Sequence, residues 1–289
     1  MRGGALQRLL HVDGAPVLAG VVQTSRDTVV FGARAATEAA AGEAIDRLRF
    51  VTGVDDDLAP FHAAFRDDPL IGRVLRANAT LRPTRRPDPW EALAAAITEQ
   101  LIEFDRAVEI QRRMIAVLGR RCPETGLRDA PTAATVAGAA PARLESFDLA
   151  GKRCLTLRRA AREVAAGRVD LRAADPEPGW RRLRAIPGVG PWTIEMLGFL
   201  GQGRHDQLAA ADVGYLKLVG RLTTGNPRAR ADEAEVRGFF EPYGAWKGLA
   251  GEYVRHAAAR GLLGVSRPAR APSRAGTRSS ALAPRSAAA

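Results

Sequence analysis

The spacing of apolar residues divides the chain into two regions. Near the N-terminus, three short apolar or alternating runs are separated by turn signals such as Asp13-Gly14, and each run predicts a strand. These runs cover 9–12, 16–23 and 28–31. A run with helical spacing follows over 36–50. The pattern predicts a small antiparallel sheet with helical cover.

From Pro89 onward the apolar spacing is helical throughout, with apolar residues on one face of each predicted helix. Later helices are predicted over 107–118, 150–164, 175–186, 193–200, 213–222, 232–243 and 246–256. The stretch 55–76 has the pattern of connecting helices that pack onto this region. We therefore predict an α+β fold, with a sheet domain and its connecting helices over 1–76 and an all-helical domain over 77–263.

Charge and composition change this picture at the C-terminus. The 289-residue chain has a net charge of +11 at pH 7, which suits a polyanionic partner without identifying it. Residues 264–289 contain five arginines and no acid, and they lack the apolar content of a core. We predict a disordered basic tail there. The folded part then carries about half of the excess charge.

Cysteine spacing and hydropathy narrow the class of protein. Cys122 and Cys154 lack metal-ligand spacing, and two cysteines cannot supply a four-cysteine iron–sulfur site. No apolar run approaches the roughly 20 residues that span a bilayer, and no charged-then-apolar signal segment opens the sequence. We expect a soluble cytoplasmic protein with no membrane partner.

The most informative local motif is Ile-Pro-Gly-Val-Gly-Pro-Trp-Thr at 186–193. Two glycines around one valine, between two helical runs, predict a hairpin too tight for side chains. Glycines let the backbone approach a bulky anion, and the amides at the start of the second helix point outward with the positive end of the helix dipole behind them. A phosphate would fit there. An ordinary loop between helices is the alternative interpretation.

A single acid follows this motif. Asp212 lies twenty residues after Trp192, where an apolar-periodic helix begins. Its carboxylate could simply accept a backbone N–H of the first helical turn as an N-cap. Capping is compatible with catalysis, because a helix N-terminus keeps a carboxylate ionised and oriented.

Together, Leu-x-x-Ile-Pro-Gly-Val-Gly-Pro-Trp-Thr and the later Ala-Asp-x-Gly-Tyr segment resemble the helix-hairpin-helix base-excision DNA glycosylases. Within them, the closest likeness is to the DNA-3-methyladenine glycosylase II branch. The resemblance implies an N-terminal sheet domain, a hairpin that grips the DNA backbone, and Asp212 as the essential carboxylate. The DNA-binding hairpin residues would be Gly188, Val189, Gly190 and Thr193.

The same resemblance assigns roles to the segment Glu99-Gln100-Leu101-Ile102. Gln100 would help to line the base pocket. Leu101 would insert into DNA as a wedge, filling the gap left by the extruded nucleotide. Sequence alone favours a core position for Leu101, because most leucines are buried.

Trp192 and Met196 are the other implied pocket residues. Family members that also nick the strand have a lysine where this chain has Trp192, so the resemblance implies a monofunctional enzyme. The alternative for Trp192 is a packing role. Met196 departs from the stacking tyrosine of the best-known relatives, which leaves the range of substrates open. Lys217 lies along the following helix rather than at the lysine position, and His205, in a polar loop, is expected to be solvated.

The expected function is hydrolysis of the N-glycosidic bond of alkylated purines of the 3-methyladenine type. The expected partner is double-stranded DNA with a damaged base, bound by a monomer associated with the nucleoid. No cofactor and no metal site are expected, although the family commonly binds a monovalent cation at the hairpin. The alternatives are a non-catalytic helix-hairpin-helix DNA-binding protein, or a glycosylase for a deaminated or oxidised base.

Overall fold

The structure is a computed structural model that describes residues 5–25, 27–78 and 80–263. The predicted basic tail therefore lies outside the described residues. Three strands form an antiparallel sheet in the order β1, β2, β3. Their bounds are β1 Ala5–Val12, β2 Ala15–Gln23 and β3 Val29–Arg34. The predicted sheet is confirmed. Strands β1 and β2 begin before their predicted starts, and β3 ends after its predicted end.

The first hairpin of the sheet turns at Asp13-Gly14, where both residues have positive φ, as a two-residue turn between twisted strands requires. Helix α1, Glu38–Thr52, is capped by the Thr37 side chain and covers one face of the sheet. A small core lies between them, made by Leu10, Val12, Val17, Ala19, Ala44 and Leu48. The predicted helical cover is thus confirmed.

The rest of the described chain is helical. The helices are α2 Ala59–Phe65, α3 Gly72–Ala77, α4 Pro89–Glu99, α5 Phe104–Leu118, α6 Ala133–Gly138, α7 Pro141–Glu145, α8 Gly151–Ala165, α9 Glu177–Arg184, α10 Pro191–Met196, α11 Val213–Thr224, α12 Glu233–Phe240 and α13 Lys247–Ala259. No helix in the described ranges is both long and apolar enough to cross a lipid bilayer.

Two apolar cores organise these helices. The first joins α4, α5, α8, α9 and α10, and its fully buried members include Leu93, Leu157 and Leu183. The second joins α11, α12 and α13 with α2 and α3. The connecting helices therefore pack on the C-terminal helices rather than on the sheet. The sheet contacts the helical region through the buried pair His11 Nδ1 and Asp129 Oδ2, 3.1 Å apart.

The helix after the hairpin differs from the prediction. Instead of a uniform helix over 193–200, α10 passes into a π-helical turn over Leu197–Gly201. Close packing accompanies this turn, because a Cβ added to Gly201 would lie 2.7 Å from the Cβ of Ala92 on α4. The extra residue per turn is a long-range packing effect that apolar periodicity does not encode.

The predicted helix over 232–243 is also shorter than expected. Helix α12 ends at Phe240, and a 3₁₀ segment, Glu241–Trp246, leads into α13. Gly244 inside this segment has φ 53° and ψ −122°, a conformation open mainly to glycine. The chain therefore turns sharply between α12 and α13.

Candidate active site

The hairpin between α9 and α10 has the predicted form. Val189 N–H donates to the Ile186 carbonyl at 2.9 Å, and α10 begins directly afterwards at Pro191. The Val189 side chain is 6% exposed and packs in the first core. Its predicted contact with DNA could therefore involve only its backbone.

The two hairpin glycines have different structural roles. Gly188 has φ +92°, and a Cβ there would lie 2.4 Å from the Thr156 hydroxyl oxygen. Gly190 is extended, and a Cβ there would meet nothing within 4 Å. The expectation of a bend too tight for side chains is thus right for Gly188 and wrong for Gly190. In the described part of the chain, neither glycine N–H has a hydrogen-bond acceptor, so both remain available to an anion.

Gln100 connects helix α4 to the hairpin. Its Nε2 donates to the Gly188 carbonyl and to the Thr193 hydroxyl, both at 2.8 Å. Thr193 is only 1% exposed. Its side chain therefore holds Gln100 in place and does not face a DNA strand, which corrects the predicted contact. The half-buried Gln100 side chain is positioned beside the hairpin, and its role in a base pocket stays a prediction.

The hairpin carbonyls are largely bonded within the protein. Pro187 accepts from the Thr156 hydroxyl at 2.8 Å, and Gly188 accepts from Gln100. Each carbonyl oxygen has a second lone pair. The monovalent cation implied at this hairpin stays a prediction.

Leu101 is not a core residue. It has φ +57°, which is uncommon for a residue with a side chain, and its relative exposure is 103%. The interpretation that placed it in the core is therefore wrong. A fully exposed leucine on a strained backbone is a feature that clusters at functional sites. Its action as a wedge in DNA stays a prediction.

Trp192 and Met196 lie one helical turn apart on α10, on a half-exposed face, while residues 193–195 between them are buried. The helix thus presents an indole ring and a thioether side by side. The structure places the two predicted pocket residues on a common open face, and their contact with a base stays a prediction.

Asp212 is the N-cap of the 12-residue helix α11, as the capping interpretation expected. Its Oδ1 accepts the Gly214 N–H at 2.8 Å. Its Oδ2 has no hydrogen-bond partner among the described residues, and the residue is half-exposed. One carboxylate oxygen is therefore fixed by the helix, and the other is free to act on a ligand.

Two neighbours of Asp212 were not identified from the sequence. Burial raises the pKa of the Glu99 carboxyl, and the negative charge of Asp212 adds to that rise. Burial lowers the pKa of Arg255, but the interactions with Glu252, Tyr215 and Asp212 together outweigh it and raise that pKa. The charge of Asp212 therefore acts both on the end of α4 and on α13. In the sequence, the only indication for Glu99 was its position directly before the predicted pocket residue Gln100.

The end of α4 brings the hairpin and the acid together. Gln100 donates a hydrogen bond to the hairpin, and the negative charge of Asp212 raises the pKa of the adjacent Glu99. Glu99 itself accepts from Gln111 at 3.1 Å and lies 3.7 Å from an Arg86 nitrogen. The bend with free amides and the half-exposed carboxylate of Asp212 are thus both linked to the end of α4, the bend by a hydrogen bond and the carboxylate by its charge.

His205 is not solvated as expected. Its Nε2 lies 2.9 Å from Arg85 Nη2 and 3.4 Å from the Asp56 carboxylate, and its ring stacks on Trp246 with 5.3 Å between centroids. Burial opposes ionisation of Asp56, but hydrogen bonds from His205 and Arg85 prevail and lower its pKa to about 2. This cluster joins four separate parts of the chain, which local polarity could not reveal.

These features define a protein with the α+β fold of the helix-hairpin-helix DNA glycosylases. No family model matches the chain. A DNA-3-methyladenine glycosylase of Bacillus subtilis (strain 168) is 24% identical over 206 residues, which cover 70% of this chain and 67% of that protein. The predicted resemblance to the helix-hairpin-helix superfamily is thereby confirmed.

Solved structures show the same fold. The 3-methyladenine DNA glycosylase of Archaeoglobus fulgidus superposes with a TM-score of 0.77 at 20% identity, covering 89% of this chain and 88% of that one. An 8-oxoguanine glycosylase/lyase of Clostridium acetobutylicum, in complex with double-stranded DNA containing cytosine opposite 8-oxoguanine, superposes with a TM-score of 0.67 at 16% identity. That match covers 88% of both chains. The fold is therefore shared by enzymes that differ in their named substrates.

Proposed function

We propose that this protein is a monofunctional DNA glycosylase that hydrolyses the N-glycosidic bond of alkylated purines of the 3-methyladenine type. One observation carries the proposal. Asp212 presents a free carboxylate oxygen, its charge acts on Glu99 at the end of α4, and the next residue, Gln100, is bonded to the hairpin. The similarity to the Bacillus subtilis protein supports the choice of substrate.

DNA binding begins at the hairpin. The free N–H groups of Gly188 and Gly190 would donate hydrogen bonds to phosphate oxygens of one strand, without contacting the bases. The damaged nucleotide must then leave the duplex, because a stacked base cannot reach the carboxylate. Leu101 would fill the space that the extruded nucleotide leaves.

Asp212 would act on the sugar. Cleavage of the N-glycosidic bond builds positive charge on the sugar as the base departs. An ionised carboxylate stabilises that charge and can orient or deprotonate the incoming water. An alkylated purine already carries positive charge, so it leaves without a general acid.

Trp192 supports the monofunctional assignment. Strand-nicking relatives use a lysine amine at this position to form a Schiff base with the sugar, and an indole has no nucleophilic nitrogen. Its electron-rich ring would instead attract a cationic base. Lys217 lies within α11 and not on α10. We therefore expect no covalent adduct with DNA under borohydride reduction.

The test compares wild type with Asp212→Asn on methylated DNA, measuring release of free 3-methyladenine by chromatography. Asparagine caps a helix as well as aspartate does, so the fold should be kept while the charge is lost. We expect base release to fall by at least about a hundredfold with DNA binding unchanged. Asp232→Asn is the matched control, since Asp232 is also a helix N-cap. Equal release by wild type and Asp212→Asn would reject Asp212 as the essential carboxylate, and no release by wild type from any lesion would leave a non-catalytic DNA-binding protein.

A second candidate keeps the reaction and changes the base. Met196 replaces a flat stacking ring, and one enzyme with this fold is named for 8-oxoguanine. A panel of duplexes with alkylated, deaminated and oxidised bases separates the two candidates. Release of only an oxidised or deaminated base would replace the alkylpurine assignment.

A further inference from the structure

Beyond Leu101, a second large apolar side chain stands open to solvent nearby. Phe104 is 66% exposed, against 103% for Leu101, and every other large apolar residue in the described ranges is at most 50% exposed. We define the wedge loop as residues 101–105. A single exposed apolar side chain is common, but two large ones three residues apart form an exposed apolar patch, a feature that can mark a binding site.

The backbone fixes where this ring points. Glu103 is the N-cap of α5 and Phe104 is the first residue of that helix. The 15-residue helix is anchored in the first core by Ile110 and Met114. Phe104 is therefore carried by a rigid element, three residues from the exposed Leu101.

The charges of the wedge loop indicate what kind of surface it contacts. Glu103 and Asp105 flank Phe104, are exposed, and have no ion pair among the described residues. The nearby Arg106 is paired with Asp148 at 2.6 Å. Two free carboxylates repel a phosphate backbone, so the tip of the loop does not suit contact along a DNA strand. Its apolar side chains suit the stacked bases.

The position of the wedge loop relative to the hairpin points the same way. Gln100, directly before the loop, donates to the carbonyl of the exposed Gly188 at 2.8 Å. A strand held at the hairpin amides would therefore run beside the loop. The wedge loop would then contact the bases of a duplex, and the hairpin would contact its phosphates.

We propose that Phe104 is a second intercalating side chain, which stacks on a base next to the gap that Leu101 fills. This inference rests on the proposed function and extends it to the recognition of unstacked DNA. Stacking of a base on an aromatic side chain would give about a tenfold to hundredfold gain in affinity for DNA that already contains a gap. Intact duplex would gain little, because its bases are stacked on each other.

The experiment measures affinity by fluorescence anisotropy for two duplexes, one intact and one with a tetrahydrofuran abasic-site analogue. The variants are Phe104→Ala, Phe104→Tyr and, as a matched control, Val117→Ala. Val117 is a 43% exposed apolar residue at the other end of the same helix. We expect Phe104→Ala to lose about tenfold or more on the abasic duplex alone, and Phe104→Tyr to restore most of it.

Two outcomes would overturn the inference. One is an affinity of Phe104→Ala for abasic DNA within twofold of wild type. The other is an equal loss on both duplexes, which would indicate a role in folding or in general affinity. Neither measurement uses base release. A failed glycosylase assay and a failed role for Phe104 are therefore separate results.

Discussion

At the scale of single residues, the hairpin shows that two glycines in one motif are required for different reasons. Gly188 is required by conformation, since its φ is positive and its missing Cβ faces Thr156. Gly190 has neither constraint. Under the proposed function, Gly190 would leave the hairpin amides uncovered for a phosphate. The motif would then combine a folding requirement at Gly188 with a binding requirement at Gly190.

We predict that Gly188→Ala lowers the free energy of unfolding by about 1–2 kcal/mol, the cost of a left-handed residue with a Cβ, with the contact to Thr156 adding to it. Gly190→Ala should unfold at nearly the wild-type temperature and bind DNA more weakly. Thermal unfolding and anisotropy on both variants check this pair. Equal melting temperatures for the two variants would contradict the assignment.

Leu101 offers the opposite case, a residue that is unfavourable for the fold. We predict that Leu101→Asn raises the free energy of unfolding by about 0.5–1 kcal/mol, because asparagine tolerates positive φ and no core contact is lost. The same change should weaken binding to abasic DNA. Urea unfolding beside anisotropy tests both effects, and a destabilised variant would show that Leu101 packs against the protein.

At the scale of elements, the π-helical turn after α10 includes a close approach to α4. Gly201 lies against Ala92 on α4, whereas Gly238 on α12 would carry a Cβ into open space. We predict that Gly201→Ala destabilises the protein by about 1–3 kcal/mol through overpacking. Gly238→Ala should stabilise it by up to about 1 kcal/mol, because alanine favours a helix. Denaturant unfolding of the two variants measures the contrast, and changes of the same sign would argue against it.

Elements could be predicted where the signal is local. The sheet, the hairpin and the cap at Asp212 all follow from turn residues, apolar period and capping chemistry within a few positions. The exposure of Leu101 does not follow from the apolar pattern, which favours the core, and was implied only by the family resemblance. The π-helical turn could not be predicted, because it accompanies packing against the distant helix α4. The electrostatic coupling of Glu99 to Asp212 could not be predicted either, because the two residues are far apart in the sequence.

At the scale of the whole molecule, the cluster of Asp56, Arg85, His205 and Trp246 joins the end of the sheet domain to the C-terminal helices. Arg85 is 5% exposed and pairs with Asp56 at 2.5 Å. Its guanidinium also lies over the Phe50 ring, 5.0 Å from the centroid. Loss of the Asp56 charge would leave a buried cation without its partner.

We predict that Asp56→Asn lowers the free energy of unfolding by about 3 kcal/mol near neutral pH. The pKa of Asp56 is lowered from 3.8 to about 2 in the folded protein. Its stabilisation is therefore complete above pH 3.8 and is lost as the pH falls towards 2. The difference between wild type and Asp56→Asn, measured by urea unfolding, should shrink over that window.

The control for this prediction is the neighbouring Asp55→Asn. Asp55 pairs with Arg49 at the surface, where both side chains are about half exposed. Its loss should change stability by less than about 1 kcal/mol. If the stability difference between wild type and Asp56→Asn did not depend on pH, or if both variants lost the same stability, the predicted role of this cluster in acid sensitivity would be wrong.

The amide of Gln100 has a mechanical consequence. It ties the tip that would enter the base stack to the bend that would hold the sugar-phosphate chain, with hydrogen bonds of 2.8 Å and no flexible linker between them. Under the proposed function, holding a strand and testing its base stacking would therefore occur together. An enzyme built this way would sample helix integrity at each step along the duplex, before any chemistry begins.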